Sequence, residues 1–415
     1  MNRDFSTLRA ALEKMPSFGI ITDMVTCAYR YRLYPTRTQE AKLSGWLEAL
    51  RLVYNLALAD GREAYKTEKR SLSVYEQKRA LPDLEKRFSR FAGINSQVLQ
   101  DTLFRLDRAF RRFFAGGGYP RFKGEGRYRS STYPQATAFR ISGNGSKIRL
   151  SSSIGHVRIR YHRPLEGTPK TATVTRYPSG RWYVCISCQV PDVPAREDAS
   201  LTGFDLGLTN FLTSSDGMIT RPLRSLKRAE RRLQREQRRL SRKKKGSENR
   251  RRQRIKVARA HERVANRRRD FLHKTSRSVV DSHEGFAFEK LHVKSMLKNH
   301  RLAKAISEVG WATFASMTAY KAAKAGKPFV LVDPRNPSKL CSGCDTIVSK
   351  ALVNRTHACP ECGLTLDRDH NAAINVKRRA GTVRSYACGE AATVGGASCP
   401  QVASKKQEAP SFTAV

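Results

Sequence analysis

Acidic residues are what this chain has least of: 36 Asp and Glu stand against 79 Lys and Arg in 415 residues, a formal charge of +43 at pH 7. A compact state with that excess repels itself unless a polyanion neutralises it, so nucleic acid is the expected partner. There is also no apolar run long enough to span a bilayer and no basic amphipathic helix set apart from the rest. A membrane is therefore not where the charge is expected to act. Residues 1–23 lack the ordered charged, apolar and small-residue regions of a secretory signal, and a cytoplasmic location is expected. The nine cysteines are an odd number, and four of them crowd between 341 and 362. That distribution suits a metal site in a reducing compartment better than a disulfide framework.

A length of 415 residues exceeds one ordinary core and predicts several domains. Thr26 to Tyr34 alternates like a strand, and Pro35 leads through Thr36 to Gln39 into a helix. Residues 38–114 read as helical, with Leu43, Leu47, Leu50, Val53 and Tyr54 at helical spacing, until Gly116-Gly-Gly118 ends the block. From Tyr119 to Val190 the pattern turns to short strands, including 147–150, 157–160, 171–176 and 182–190. Together with the first strand they predict a small β-barrel, 24–37 and 115–192, interrupted by a helical lobe. Cys185 and Cys188 imitate a ligand pair, but in a strand side chains three apart face opposite ways, so they are not read as ligands.

After an acidic, Pro-containing linker at 191–199 the order of elements becomes that of an α/β domain, spanning 200–337 and 367–380. Within it, 221–270 is dense in Arg and Lys. Leu226, Leu233 and Leu240 fall seven apart, as do Val257, Val264 and Phe271 across Gly246, which predicts a basic antiparallel helical hairpin. A solvated helix pair without a ligand would show the same spacing, but few acids are present to satisfy its charge. Phosphate contacts are expected from Arg231, Arg235, Arg238 and Arg242, and from Arg121 and Lys123 beside Tyr119 and Phe122. The terminal segments 1–23 and 381–415 are expected to be disordered.

Two motifs carry chemistry. Cys341-x2-Cys344 and Cys359-x2-Cys362 have the spacing that lets two turns converge on one tetrahedral zinc, in a ribbon at 338–366. Four sulfurs leave no open position, so that zinc is expected to be structural. The second motif is dispersed. Asp205 closes the apolar strand of Gly203-Phe-Asp-Leu-Gly207, Glu289 closes that of Gly285-Phe-Ala-Phe-Glu-Lys290, and Asp369 opens a helix in Asp367-Arg-Asp-His-Asn-Ala-Ala-Ile-Asn375. Each alone is an ordinary cap or turn carboxylate. Three converging acids raise one another's pKa, a conflict that Mg²⁺ or Mn²⁺ resolves by taking them as hard oxygen ligands.

The succession of motifs resembles the TnpB family, transposon-encoded relatives of the type V CRISPR nucleases, from about Thr26 to Arg378. Its carriers are Tyr29-Arg-Tyr-Arg-Leu-Tyr-Pro35, Gln97-Val-Leu-Gln-Asp101, Pro120-Arg-Phe-Lys123, Thr132-Tyr-Pro-Gln135, Phe204-Asp-Leu-Gly207, Glu289-Lys-Leu-His-Val-Lys294, the four cysteines and Asp367-Arg-Asp-His-Asn-Ala-Ala373. The resemblance implies a multidomain α+β and α/β protein. Its wedge-like β-barrel would carry an inserted helical recognition lobe and precede an RNase H-like RuvC domain with an embedded zinc ribbon. It implies that Asp205, Glu289 and Asp369 are the catalytic, Mg²⁺-binding triad and Asp367 a structural neighbour. It also implies a guide RNA from the transposon end, double-stranded target DNA beside a short motif, and one protein monomer per RNA. Asp345 departs from a usual glycine, and Phe204 from a smaller aliphatic residue. A non-cutting RNA-guided repressor and an RNA-independent transposase or resolvase are the alternatives.

Overall fold

A run of alternating side chains opens the described residues. In β1 (Met24–Tyr34), Tyr29, Tyr31 and Leu33 are buried while Arg30, Arg32 and Tyr34 face the other way, the period-two pattern of a half-covered strand. The computed structural model describes residues 24–390, apart from 92, 143, 224, 297, 300–302, 304, 307–308, 335–337 and 350–353. The disorder expected of 1–23 and of the chain beyond 390 lies outside the described residues. The chain divides into two compact units, 1–191 and 192–415.

In the first unit, Thr36 and Gln39 form a reciprocal capping box that starts helix α1 (Arg37–Glu68), satisfying amide groups the first turn leaves without partners. The block read as helical comprises two long helices, α1 and α2 (Ser96–Phe114), joined through short helices at Val74–Arg79 and Leu81–Arg87. Asn95 caps α2 through the Gln97 amide, 2.9 Å away. The strands follow where the alternation placed them: β2 (Ser130–Tyr133), β3 (Arg140–Ser142), β4 (Lys147–Arg149), β5 (His156–Arg160), β6 (Thr168–Arg176) and β7 (Trp182–Pro191). They pair in the order β2-β6-β7-β1-β5-β4-β3, a half-barrel in which, among the described residues, no pairing joins β2 to β3. Strand β1 lies antiparallel between β7 and β5, so the first strand of the chain is central. Helices and sheet share one core, in which Leu50, Leu58, Leu99, Tyr133 and Val184 are sealed from solvent. Cys188 is buried and Cys185 only partly so, as alternation requires.

The second unit is built on β8 (Leu201–Asp205), β9 (Leu212–Ser214), β10 (Ile219–Thr220), β11 (Gly285–Glu289) and β12 (Phe329–Val332), paired in the order β10-β9-β8-β11-β12. Strands β8, β11 and β12 run parallel. Their two faces differ: Leu201, Ala287 and Val332 pack on Val376 and Ala380 of the last helix, whereas Phe204, Phe286 and Phe288 pack on the opposite layer with Phe314. Covering both faces is what a parallel sheet requires. Phe204 fills its place by stacking on Phe288, with centroids 5.0 Å apart.

Helices α3 (Ser225–Ser241) and α4 (Glu248–Ser282) form the expected hairpin. Arg250 donates to the carbonyls of Leu240 and Lys243 at 3.0 and 2.8 Å, a cation at the carbonyl end of a helix. Gln253 donates to Glu236 Oε2 at 2.8 Å. Helix α5 (Trp311–Lys324) precedes β12, and a two-stranded ribbon, β13 (Thr356–Ala358) with β14 (Thr365–Asp367), precedes α6 (Arg368–Glu390). Thus α6 runs on to Glu390, into the segment expected as a tail from 381. Among the described residues no helix is long and apolar enough to cross a membrane.

Candidate active site and metal centre

The parallel pairing of β8 and β11 puts Gly285 beside Leu201 and Phe288 beside Phe204, so Asp205 and Glu289 leave the same edge of the sheet on neighbouring strands. Strand ends of that kind are where open α/β sheets carry their ligands. Helix α6 delivers the third acid. It reaches β8 because residue 203 is glycine: a Cβ there would collide with the Ala373 carbonyl and the Lys377 amide. Asp367 fixes the start of the helix, its Oδ1 accepting from the amides of Asp369 and His370 at 2.9 and 3.2 Å. The turn after β8 closes on the same point. A Cβ at Gly207 would stand 3.6 Å from Asp369 Oδ2.

Asp205 lies close enough to the other two acids to feel their charge. Burial, then the negative charges of Glu289 and Asp369, push the Asp205 carboxyl up to about 8, against a backbone hydrogen bond from Leu206 that favours its charged form. Burial raises Glu289 to about 7, with Arg379 pulling the other way. Among the described residues Glu289 Oε1 is a buried oxygen with no hydrogen-bond partner. Asp369 is 8% exposed, accepts from Asn210 Nδ2 at 3.2 Å, and lies 3.7 Å from an Arg355 nitrogen. Arg355, reaching over from just before the ribbon, also hydrogen-bonds Thr209. An orphaned buried carboxylate oxygen near a carboxyl raised by burial and by neighbouring negative charge fits a divalent cation, which favours the charged form of the acids that hold it. Asn210 and Arg355 escaped the sequence reading, since nothing in the chain order ties either to position 369.

The cysteines converge more tightly. Among the described residues, Cys341, Cys344, Cys359 and Cys362 are the one group of three or more potential ligands whose ligand atoms all lie within 4.8 Å of one another. Cys341 and Cys362 sulfurs are 3.6 Å apart, and those of Cys344 and Cys359 3.5 Å. Crowding splits the thiols. Hydrogen bonding with Thr346 holds Cys344 down, to about 6, while Cys362, against a backbone hydrogen bond at Leu364 that lowers it, is pushed up to about 12 by its sulfur neighbours and burial. The cluster can hold one metal ion. Asn371 ties it to α6: its side chain accepts the Ser342 amide at 2.9 Å and donates to the Leu340 carbonyl at 2.8 Å. Asp345 adopts a positive φ of 62°, which accounts for a usual glycine there, and is held by a two-pronged pair with Arg378 at 2.9 and 3.0 Å.

The expected nucleic-acid residues fall in different settings. Arg231, Arg235 and Arg238 are exposed on α3, with Arg242 exposed just beyond its end. Arg121 is exposed as well, beside Phe122, on which Arg62 sits at 5.4 Å. Lys123 is anchored: its amide donates to Asn55 Oδ1 at 2.8 Å, its carbonyl accepts from Arg51 and Asn55, and its ammonium sits over the Tyr54 ring.

Residues 183–300 match a family model described as probable transposase, 311–376 one described as a Cas12f1-like TNB domain, and 24–70 one described as a helix-turn-helix domain. Residues 24–70 here form β1 followed by the single long helix α1. A putative RNA-guided DNA endonuclease of Streptomyces pristinaespiralis is 39% identical over 370 residues, 88% of this chain and 91% of the relative. The putative RNA-guided DNA endonuclease InsQ of Escherichia coli K12 is 30% identical over 383 residues, 88% and 94% of the two chains. Among solved structures, Cas12f1 in its complex with guide RNA and target DNA superposes with a TM-score of 0.54 at 12% identity. The match covers 85% of this chain and 99% of that one, a likeness of fold.

Proposed function

We propose, for a chain that belongs to the TnpB family of RNA-guided DNA endonucleases, that it is a transposon-encoded nuclease directed to double-stranded DNA by a guide RNA, cutting at Asp205, Glu289 and Asp369. The observation that carries this reading is the raised carboxyl of Asp205 on β8, pushed up by burial and then by the charges of Glu289 on β11 and Asp369 on α6. In the RuvC-like reading these three side chains would hold two Mg²⁺ or Mn²⁺ ions, which would supply an activated water and charge stabilisation at the leaving phosphate oxygen.

Each residue has a task in that account. Asp205, whose carboxyl feels the charge of both other acids, would hold a metal ion together with them. The unpartnered Glu289 Oε1 is a ready ligand. Asn210 and Asp367 fix the rotamer and the backbone of Asp369. Arg355, with its side chain half exposed beside Asp369, carries positive charge to where a scissile phosphate would lie. The four cysteines would hold a structural zinc, and through Asn371 that ribbon buttresses the helix bearing Asp369. Base pairing with the guide reads the target, while the protein reads the adjacent motif and the shape of the heteroduplex.

The test is cleavage of matching duplex DNA by the full-length chain loaded with the RNA that co-purifies with it. Cutting is expected with Mg²⁺ or Mn²⁺ and none with a chelator, and Asp205→Ala is expected to bind target without cutting it. Sequence-specific cutting by RNA-free protein would favour a transposase instead, and metal-independent cutting would remove the triad from the chemistry.

A further inference from the structure

Thr213 of β9 stands directly opposite Asp205 of β8 in their antiparallel pairing, and residues so opposed project from the same face with Cβ atoms about 5 Å apart. The face is the one that α6 covers. Leu201 and Ala287 pack on Val376 and Ala380 of that helix, and alternation carries the same face on to Asp205 and Glu289. Leu212, one residue before Thr213, packs on the opposite layer. Because Phe204 and Phe288 are paired, Glu289, Asp205 and Thr213 form one row across three neighbouring strands. Thr213 is 1% exposed, and among the described residues its Oγ1 is a buried atom without a hydrogen-bond partner. The other four hydroxyls between 201 and 215 are engaged. Thr202 donates to Asp216 at 3.3 Å, Ser214 accepts from the Met218 amide at 3.0 Å, Ser215 accepts from the Gly203 amide at 3.2 Å, and Thr209 is hydrogen-bonded by Arg355.

A β-branched residue suits a strand, but valine has nearly the same shape and buries no hydroxyl. An unpartnered hydroxyl at a sealed position weakens the fold, so packing alone does not account for threonine at 213. Its neighbours in the row do. On one side it is paired with Ile219 of β10, whose side chain offers no polar atom, and on the other stands the Asp205 carboxylate. That carboxylate accepts from the Leu206 amide and, as an acceptor-only group with two oxygens, has room for a further donor. We infer that Thr213 is a positioning residue for Asp205: in the metal-bound site its hydroxyl donates to the Asp205 carboxylate and holds it in the orientation that meets the cation. The inference rests on the nuclease reading above. Rotation about χ1 between staggered positions aims the hydroxyl and leaves the strand pairing intact. Thr213 then gives Asp205 the support that Asn210 gives Asp369, and a ligand held by such an outer hydrogen bond binds its metal more tightly.

The experiment titrates Mn²⁺ into the full-length chain, its cysteine cluster already supplied with zinc, and reads bound metal by electron paramagnetic resonance. Asp205→Ala is expected to lose the Mn²⁺ site, which identifies it. Thr213→Val is expected to weaken Mn²⁺ binding about 10-fold or more, the effect of removing an outer hydrogen bond from a metal ligand. Free of Mn²⁺, the same variant is expected to melt no lower than wild type, having shed a buried hydroxyl that had no partner. Thr213→Ser keeps the hydroxyl without the methyl group and is expected to retain the affinity. In the guide-loaded complex, the Mn²⁺ concentration for half-maximal cleavage is expected to rise for Thr213→Val in the same proportion as the binding constant. Unchanged Mn²⁺ affinity in Thr213→Val overturns the inference and leaves the nuclease reading standing. So does a Thr213→Ser variant that binds Mn²⁺ as weakly as Thr213→Val, which would trace the effect to packing. A wild type with no Asp205-dependent Mn²⁺ site overturns the nuclease reading, and the inference with it.

Discussion

Asp367 accepts the backbone amide of Asp369 through its Oδ1 at 2.9 Å, so one acid of the motif aims the other. The two therefore separate on substitution. Asp369→Ala is expected to abolish cleavage with guided DNA binding intact. Asp367→Ala, which removes a helix cap worth about 1 kcal/mol, is expected to lower the cleavage rate roughly 10-fold and to retain divalent-ion dependence. Single-turnover cleavage and thermal melting of both variants check this.

The raised carboxyls of Asp205 and Glu289 give the metal-free protein a pH signature. Their folded pKa values, about 8 and about 7, lie above those of the unfolded chain, so the folded form holds extra protons from about pH 4 upward. Stability of the metal-free chain is expected to fall as pH rises through that window to about 8. Asp205→Asn is expected to flatten the fall, gaining on the order of a few kcal/mol over wild type at the alkaline end. Because a divalent ion must displace those protons, its affinity is expected to climb from pH 6 to 8.5. Calorimetry in two buffers of different ionisation enthalpy reads the protons released.

Gly203 is a packing requirement. Gly203→Ala is expected to push α6 off β8, costing about 3 kcal/mol or more as an overpacked core position does, and to abolish cleavage with the triad residues unchanged. Denaturant titration beside the cleavage assay checks it.

At the ribbon, Cys359→Ser is expected to drop the zinc content from one ion per chain to near none and to lower activity through the lost buttress of α6. Asp345→Ala loses the Arg378 pair and keeps the strain of a positive φ, an expected loss of about 1–2 kcal/mol. Asp345→Gly trades the pair for relief of strain and is expected to change little. Metal analysis and melting of the three variants decide.

What the chain order revealed was whatever has a short-range signature. Asp205 and Glu289 stand at the ends of apolar runs, the cysteine pairs have a ligand spacing, and the heptads of α3 and α4 announce their own hairpin. Alternation located β4 to β7 within a residue or a few. Long-range pairing was not legible. Nothing local tells that β1 inserts between β5 and β7, because strand order is set by which apolar faces meet in the folded core. Nor does anything local bring Asn210 and Arg355 to Asp369 from 159 and 14 residues away. Helix α6 overran its expected end because the small and polar residues after Ala380 that suggested a tail are compatible with continued helix.

The most direct measurement is anomalous diffraction from Mn²⁺ in the complex of the full-length chain with guide and target. The account predicts manganese held by carboxylate oxygens of Asp205, Glu289 and Asp369, lost in Asp205→Ala together with cleavage. A cleavage-competent complex whose manganese lies away from these three acids would contradict it.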